Sequence, residues 1–390
     1  MRNVNLVIFS TLLSIVLIYF ALIIYTLFNF KNEFKHTFKL QENLNFHIKY
    51  SKKIHHIRDE AILKLLFKES KVEDLLFTTI TQPKNKELTV LFQGDSWMEQ
   101  ITFGSFPKTK DDFLTVKMIQ NFKNKKKISF VNAGTASYSP SLMSLQLDVL
   151  EKDYKILPSI VIAYIDQTDI GDENCRYKYN KVYTNGILTS IAPETHLMYR
   201  DLFNYYKIYG LSNIYLNDSS KIIKSIQVVN FKFKYSLKKS TLRFYRKYIS
   251  NSDSEKNKLT KCYGDEIRKY LIKPTKADIE YFSDSIKEYI EKIKKKQHIE
   301  KLILVTFPHK RHFYKNLDEK PPYTLNVSSI VQNITKSEKN ITHINFSEIL
   351  LNNNSFNYKN IWLDNLHLNT TTHGNLFMRK ILDELSKYLL

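Results

Sequence analysis

The hydrophobic pattern begins with one long apolar segment and continues as short apolar runs among charged residues. Residues 6–28 carry no charge. A bilayer is spanned by about 20 helical residues, and no small-residue cleavage site follows, so we predict an uncleaved transmembrane anchor after a tail of residues 1–5. Residues 29–85 form a predicted membrane-proximal region. Helical spacing of apolar residues between Ile57 and Leu76 predicts an amphipathic helix there, packed on its own domain or lying on the membrane.

Five short apolar runs with turn signals at their ends predict strands in the rest of the chain. The first run begins at residue 88, and the other four cover residues 128–131, 159–165, 301–308 and 343–346. Helical patterns separate them, at residues 97 onward, 111–124, 141–151, 277–295 and 371–389. Alternating strands and helices predict an α/β domain over residues 86–390 with a mostly parallel five-stranded sheet and a ligand site at the carboxyl ends of its strands. Residues 175–275, rich in Lys, Tyr and Asn, interrupt it as a helical insertion, which could form a lid or a side lobe.

The composition bounds the partners of the protein. The chain has 390 residues, 43% of them hydrophobic, and a formal net charge of +20. Such a charge suits nucleic acid, an anionic membrane or an acidic polymer, or it gives only a solvated basic surface. No zinc-finger spacing and no arginine-rich helix is present, so we predict no nucleic-acid partner. No set of ligands for a metal or cofactor is recognisable. Cys175 and Cys262 either pair, which requires a compartment outside the cytoplasm, or remain free thiols.

A serine turn follows the first predicted strand. Gly94 allows a sharp turn, Ser96 stands at it, and the residues from Trp97 onward have a helical pattern. A serine between a strand end and a helix start lies beside backbone N–H groups that can stabilise an oxyanion. The simpler interpretation is that Asp95 and Ser96 only cap the helix.

Three further motifs follow the other predicted strands. Asn132-Ala133-Gly134 comes after the second strand, and residues 166–169 (Asp-Gln-Thr-Asp) come after the third. Near the carboxyl terminus, Asp364 stands three residues before His367, just ahead of the last helix. In a serine hydrolase a carboxylate orients the imidazole, which takes the serine proton. An isolated Asp-x-x-His is more often a surface or capping pair.

Taken in order, these four motifs resemble the SGNH (GDSL-type) hydrolase superfamily, including its membrane-anchored members that modify cell-envelope polysaccharides. The resemblance covers residues 87–390 without most of the insertion. It implies a three-layer α/β/α, flavodoxin-like fold. It also implies that Ser96 is the nucleophile, His367 the base, Asp364 its orienting carboxylate, and that the Ser96 and Gly134 N–H groups stabilise the oxyanion.

The third motif departs from the family pattern. That pattern is Gly-x-Asn-Asp, in which the asparagine side chain completes the oxyanion hole, whereas this chain has no asparagine there. Thr168 could donate its hydroxyl or Gln167 its amide. Loss of one oxyanion donor costs about 100- to 1,000-fold in turnover. We expect five residues near the motifs to line the substrate pocket: Asp95, Trp97, Gln167, Asp169 and His309.

The resemblance predicts acyl transfer through an acyl-Ser96 intermediate, by an ester hydrolase or an O-acetyltransferase acting on a cell-envelope glycan, with an acyl-donor protein as a further partner. Two alternatives remain: a weakly active or inactive glycan-binding or assembly protein, and a lipid or thioester hydrolase. We expect the domain to be extracytoplasmic, periplasmic or at the cell surface. A literal count of Lys31, Lys35 and Lys39 after the span would instead place it in the cytoplasm.

Overall fold

The structure is a computed structural model of the chain. It describes residues 2–29, 46–47, 49–58, 71–81, 88–103, 118–122, 128–191, 222–223, 225–226, 229–230, 262, 265–313, 322–338, 340–351 and 374–389. The chain divides into two compact units, one of residues 1–48 and 195–260, the other of residues 49–194 and 261–390. The second unit thus includes residues 49–85 as well as the predicted α/β domain without residues 195–260.

The first unit contains the long apolar helix α1, Arg2–Phe28. Its stretch Phe9–Phe28 is long and apolar enough to cross a membrane, with a mean hydropathy of 2.4 and only 6% of its residues buried. The hydroxyls of Ser10 and Thr11 both donate to the carbonyl of Val7, and that of Ser14 donates to the carbonyl of Ser10. These bonds give the hydroxyl groups partners within the helix, as a membrane-spanning helix requires. Length and composition of α1 are therefore those of a single membrane span.

The second unit is built on a six-stranded sheet in the order β1-β3-β2-β4-β7-β8, in which β1 is Thr78–Thr81. Five strands are parallel: β2 (Leu88–Gln93), β3 (Ile128–Asn132), β4 (Ile160–Ile165), β7 (Lys301–Thr306) and β8 (Ile341–Asn345). Strands β2, β3 and β4 are buried along almost their whole length. Near-continuous apolar runs are typical of parallel strands that are covered on both faces. The predicted mostly parallel α/β fold is confirmed.

Helices cover both faces of the sheet. Successive side chains of a strand point to opposite faces, so Val90 and Phe92 face one layer while Leu91 and Gln93 face the other. The first layer contains α2 (Ser96–Phe103), α8 (Phe346–Leu351) and α9 (Gly374–Tyr388), whose apolar residues share one core with β2, β4 and β7. The second layer contains α3 (Pro140–Tyr154) and α5 (Lys276–Lys294). Gln93 bonds both of them, accepting from the Tyr289 hydroxyl and donating to the Met143 carbonyl. Three layers, α/β/α, result.

An additional strand lies at one edge of the sheet. Strand β1 (Thr78–Thr81) pairs antiparallel with β3, with Thr78 opposite Asn132. A short helical turn, Val72–Leu75, precedes it. The amphipathic helix predicted between residues 57 and 76 therefore does not continue through residues 71–76, and residues 59–70 lie outside the described residues. A four-residue, threonine-rich run carries too weak an apolar pattern to predict a strand, which is why the sixth strand was missed.

A β-hairpin lies near the start of the insertion, after the helical residues 175–180. Strands β5 (Lys181–Thr184) and β6 (Ile187–Ile191) pair antiparallel across a turn at Asn185 and Gly186, both with positive φ. This hairpin differs from the expected helical character, since the alternation in residues 181–191 is short and its turn signal is a single Asn-Gly pair. Helix α4 (Asp265–Ile272) lies at the end of the insertion. Most of what lies between falls outside the described residues.

Two short helices and one wide turn complete the description of the second unit. Helices α6 (Lys310–Phe313) and α7 (Val327–Thr335) follow β7. After β4 the chain makes one helical turn, Asp169–Gly171, and continues into a wide helical turn, Asp172–Tyr177. The helix predicted at residues 111–124 is described only at residues 118–122, which are helical.

Candidate active site

The serine turn forms at the carboxyl end of β2. Gly94 has a φ of +148°, and a Cβ there would lie 2.9 Å from both Met98 Cγ and Tyr164 Cβ. Only glycine fits this combination of conformation and close approach. Ser96 is the first residue of α2, so it lies at the positive end of that helix. Asp95 Oδ1 accepts a hydrogen bond from the Trp97 N–H at 2.9 Å, so the capping interpretation holds for Asp95.

The loop after β3 packs directly on α2, the helix that begins at Ser96 and is called the serine helix below. A Cβ on Gly134 would lie 2.3 Å from the Glu99 nitrogen and 2.4 Å from the Met98 carbonyl carbon. The Asn132 amide donates to the Met98 carbonyl, and its Oδ1 accepts the Gly134 N–H at 2.8 Å. Gly134 therefore lies beside the first turn of α2, as the predicted site requires. Its N–H, however, is engaged by Asn132 in this structure, so its role as an oxyanion donor stays a prediction.

The turn after β4 brings Thr168 and Gln167 to the same edge of the sheet. The Thr168 hydroxyl and N–H both donate to Asp166 Oδ2. The Gln167 amide donates to the Phe307 carbonyl and its Oε1 accepts the Val327 N–H, so this buried side chain joins β4 to the ends of β7 and α7. Both proposed replacements for the family asparagine are thus bonded within the protein. Gln167 acts as a structural bridge, and the oxyanion role of Thr168 stays a prediction.

Buried carboxyl groups surround the serine turn from the β4 side. Asp95, Asp166 and Asp169 are each 5% exposed or less. Burial raises the pKa of Asp95 well above its usual value, and the neighbouring charge of Asp166 adds to the shift. Burial followed by Asp166 and Asp95 does the same to the pKa of Asp169. Among the residues that the structure describes, no group of three or more His, Cys, Asp or Glu residues could hold a metal ion. Burial and the neighbouring negative charges thus favour protonation of Asp95 and Asp169.

Two further predicted pocket residues are buried in the domain. The Trp97 ring is 8% exposed and packs on the rings of Tyr164, Phe307 and Phe377. Trp97 is therefore part of the core. His309 is 4% exposed, its ring lies 4.6 Å from that of Tyr323, and its Nδ1 accepts the Arg311 N–H. An accepting Nδ1 leaves the proton of a neutral ring on Nε2, so His309 is suited to donate rather than to act as a base.

Asp364 and His367 lie outside the described residues. Helix α9 begins at Gly374, seven positions after His367 by the sequence numbers. Phe377, in the first turn of α9, packs on the Trp97 ring at 6.3 Å between centroids. Trp97 is the neighbour of Ser96. The first turn of the last helix thus contacts the residue next to the predicted nucleophile.

The two cysteines form a disulfide. Cys175, in the wide turn after β4, is bonded to Cys262, with 5.4 Å between their Cα atoms. The two residues are separated by 87 positions, so the bond closes the insertion at its base. Of the two alternatives left by the sequence, the paired state is the one found.

Sequence reasoning missed Arg58 and Glu99, which contact the loop after β3. The Arg58 side chain is buried and donates to the carbonyls of Asn132 and Gly134, while Glu99 Oε2 accepts the Ala136 N–H. A charged residue in a charged segment carries no sequence signal of burial. The partners of Arg58 are mainly backbone carbonyls, which no side-chain motif reveals.

The sequence matches no protein-family model and no curated protein. Similar solved structures include a putative acylhydrolase from Bacteroides fragilis, with 12% identity, a TM-score of 0.37 and coverage of 80% of this chain and 92% of that one. A catalytic variant of an acetylxylan esterase from Geobacillus stearothermophilus has 13% identity and a TM-score of 0.37, over 78% and 96%. A putative GDSL-like lipase from Parabacteroides merdae has 13% and 0.36, over 78% and 98%.

Proposed function

We propose that the protein is an SGNH-type acyl-ester hydrolase or O-acetyltransferase that works through an acyl-Ser96 intermediate. The observation that carries this proposal is the position of Ser96. It is the first residue of α2, directly after the central strand β2, and its neighbour Trp97 contacts the start of α9. The sequence places the Asp364-x-x-His367 pair immediately before that helix.

The proposed mechanism has two acyl-transfer steps. The Ser96 hydroxyl attacks the ester carbonyl while His367 takes its proton, and Asp364 stabilises the resulting imidazolium. The negative charge on the carbonyl oxygen is stabilised by N–H groups at the start of α2. His367 then protonates the departing alcohol. In the second step water, or a sugar hydroxyl, gives its proton to His367 and attacks the acyl-Ser96 ester. The acyl group leaves as a carboxylic acid or a sugar ester, and His367 returns the proton to the Ser96 oxygen.

A glycan of the cell envelope is the proposed substrate. The apolar helix α1 supports attachment to a membrane, and the net charge of +20 suits an anionic polymer. The Cys175–Cys262 disulfide supports an extracytoplasmic domain, because disulfides persist in oxidising compartments. An O-acetyltransferase would also need an acyl donor, which a partner protein would deliver. A reporter enzyme fused to the carboxyl terminus tests this orientation, because its activity differs on the two sides of the membrane.

The decisive experiment removes the nucleophile. Ser96→Ala should abolish hydrolysis of a chromogenic acetyl ester by the purified full chain and change the acetyl content of surface glycan. It should also abolish labelling by a fluorophosphonate, which the wild type should carry on Ser96 by mass spectrometry. Ser283→Ala on α5, whose hydroxyl donates to the Ile279 carbonyl, is the matched control and should retain activity. Unchanged ester hydrolysis in folded Ser96→Ala would refute the proposal.

A second candidate function is a non-catalytic glycan-binding or assembly protein with the same fold. The observation in its favour is that the Gly134 N–H, the Thr168 hydroxyl and the Gln167 amide all have partners within the protein. This candidate predicts that the wild type hydrolyses no acetyl ester and takes no fluorophosphonate label. It would still bind glycan in a pull-down assay, with equal affinity in Ser96→Ala.

A further inference from the structure

Arg58 occupies an unusual position for a residue of the membrane-proximal segment. Its side chain is fully buried and donates four hydrogen bonds to residues that the structure describes. Two go to the loop after β3: Nε to the Gly134 carbonyl and a terminal nitrogen to the Asn132 carbonyl, both at 2.8 Å. The other two reach the Asp74 carbonyl, in the helical turn before β1, and the Thr78 hydroxyl, within β1. One guanidinium thus joins the sheet edge to the loop beside Ser96.

The two bonds to the loop fix the orientation of two peptide groups. In a trans peptide the C=O and the following N–H point in opposite directions. The Asn132 carbonyl faces Arg58, and the Ala133 N–H donates to the Phe92 carbonyl at 2.8 Å. The Gly134 carbonyl also faces Arg58, and the Thr135 N–H donates to the Gly94 carbonyl at 2.9 Å. Each peptide group held by Arg58 is therefore hydrogen-bonded on its other side, one to β2 and the other to the serine turn.

The serine helix supplies a countercharge. Glu99 lies in the first turn of α2, 3.9 Å from Arg58 Nε, and its other oxygen accepts the Ala136 N–H. Both side chains of this pair are almost wholly buried. Burial lowers the pKa of Arg58 to about 10, with Glu99 and Asp74 opposing the shift, so the guanidinium remains charged at neutral pH. Loss of either partner would leave an uncompensated charge beside the loop.

From this geometry we infer that Arg58 is a positioning residue of the active site, which holds the loop of residues 132–136 against the serine helix. The inference rests on the proposed function for its effect on catalysis. The loop's position is otherwise tightly limited, because Gly134 contacts the backbone of Met98 and Glu99 without room for a Cβ. A shift of this loop would move the groups around Ser96. Misplacement by about 1 Å can reduce turnover about 100-fold.

Arg58→Lys is the primary test. Lysine keeps the charge but lacks the planar fork that reaches two carbonyls at once. We expect kcat for acetyl-ester hydrolysis to fall about 10- to 100-fold with KM within about threefold, since the loop positions reacting groups rather than binding substrate. Arg58→Ala should lose at least as much, and added guanidinium ion should restore part of its kcat. Sodium chloride at equal ionic strength should restore none.

Ile54→Ala is the control for lost stability. Ile54 lies in the same segment, is 0% exposed, and contributes buried apolar surface rather than a side-chain hydrogen bond to the loop. Both variants are assayed at a temperature at which circular dichroism shows them folded. An equal fall in kcat for Ile54→Ala and Arg58→Lys, or no guanidinium rescue, would overturn the positioning role.

Amide hydrogen exchange separates this inference from the proposed function. In a Ser96→Ala background, Arg58→Lys should accelerate exchange of the Ala133 and Thr135 N–H groups more than Ile54→Ala does. Unchanged exchange would refute the structural part whatever the activity. Faster exchange together with wild-type hydrolysis in Ser96→Ala would retain the loop contact and reject both the proposed function and the catalytic role of Arg58.

Discussion

Two carboxyl groups on the turn after β4, those of Asp169 and Glu173, are both fully buried, yet their pKa values move in opposite directions. Burial alone raises the pKa of each. For Glu173 the Lys181 ammonium and hydrogen-bond donors outweigh burial and lower the pKa. For Asp169 the neighbouring charges of Asp166 and Asp95 add to burial and raise it further. Partners, not depth, decide the protonation state of a buried carboxyl group.

The two environments also serve different elements. Glu173 accepts bonds from Ser139 and Ser141 at the start of α3, from Ser285 on α5 and from Lys181 on β5. Asp169 accepts the Asp166 N–H with one oxygen, and its other oxygen has no hydrogen-bond donor among the residues that the structure describes. Glu173 therefore joins several elements of the domain. Asp169 instead lies among other negatively charged carboxyl groups beside the serine turn. Perturbed carboxyl groups of the second kind cluster at functional sites.

The largest expected effect comes from Glu173→Gln. This change leaves the Lys181 ammonium, whose side chain is only 3% exposed, without its countercharge. Removal of one partner from a buried ion pair costs about 3–5 kcal/mol of unfolding free energy. Urea denaturation at pH 7 measures it. The matched control is Asp148→Asn, whose pair with Lys292 is 18% exposed on both sides and should lose much less. A loss no larger than that of the control would mean that Glu173 is not the anchor described.

The sequence alone predicts the parts of this molecule that depend on local pattern. Apolar runs of five or six residues predict the parallel strands, and Gly94 before Ser96 predicts the sharp turn. Strand β1 was missed because Thr78–Thr81 has no apolar alternation to detect. Its position depends on pairing with β3, which comes some 50 residues later.

The site was predicted less fully because its contacts are non-local. By its place in the sequence, Gln167 was a candidate oxyanion donor. Its amide group is instead hydrogen-bonded to Phe307 and Val327, which lie 140 and 160 residues away. Arg58 binds backbone carbonyls 74 and 76 residues away, which no side-chain motif records. Asp364 and His367 remain predictions, since they lie outside the described residues.

Asp169→Asn should have an intermediate effect of opposite sign. A carboxyl group whose pKa is raised in the folded state contributes stability below its unfolded pKa of about 4 and loses it as the pH rises through the folded value. Asparagine removes that loss while keeping an acceptor for the Asp166 N–H. The variant should thus be more stable than wild type at pH 8, because asparagine has no proton to lose at this buried site.

Urea unfolding of Asp169→Asn at pH 8 and pH 4 checks the sign, because the gain should shrink toward pH 4. Asp284→Asn, at an exposed position beside Lys287, is the matched control and should change little at either pH. A variant that is destabilised at pH 8 would show that the Asp169 carboxylate has a stabilising partner and does not belong to the repelling group.

The smallest expected effect is that of Thr168→Val. This variant tests whether the Thr168 hydroxyl serves as a hydrogen-bond donor to Asp166 or to the oxyanion of the reaction. In the structure this hydroxyl donates to Asp166. Its loss should therefore cost about 1 kcal/mol of stability and reduce kcat less than about tenfold, whereas removal of an oxyanion donor costs about 100-fold or more. Thr168→Ser, which keeps the hydroxyl, is the control and should match wild type in both. Steady-state hydrolysis of an acetyl ester distinguishes the two roles. A fall in kcat of about 100-fold in Thr168→Val but not in Thr168→Ser would place the hydroxyl in the oxyanion hole. Its hydrogen bond to Asp166 would then be exchanged for one to the oxyanion during turnover.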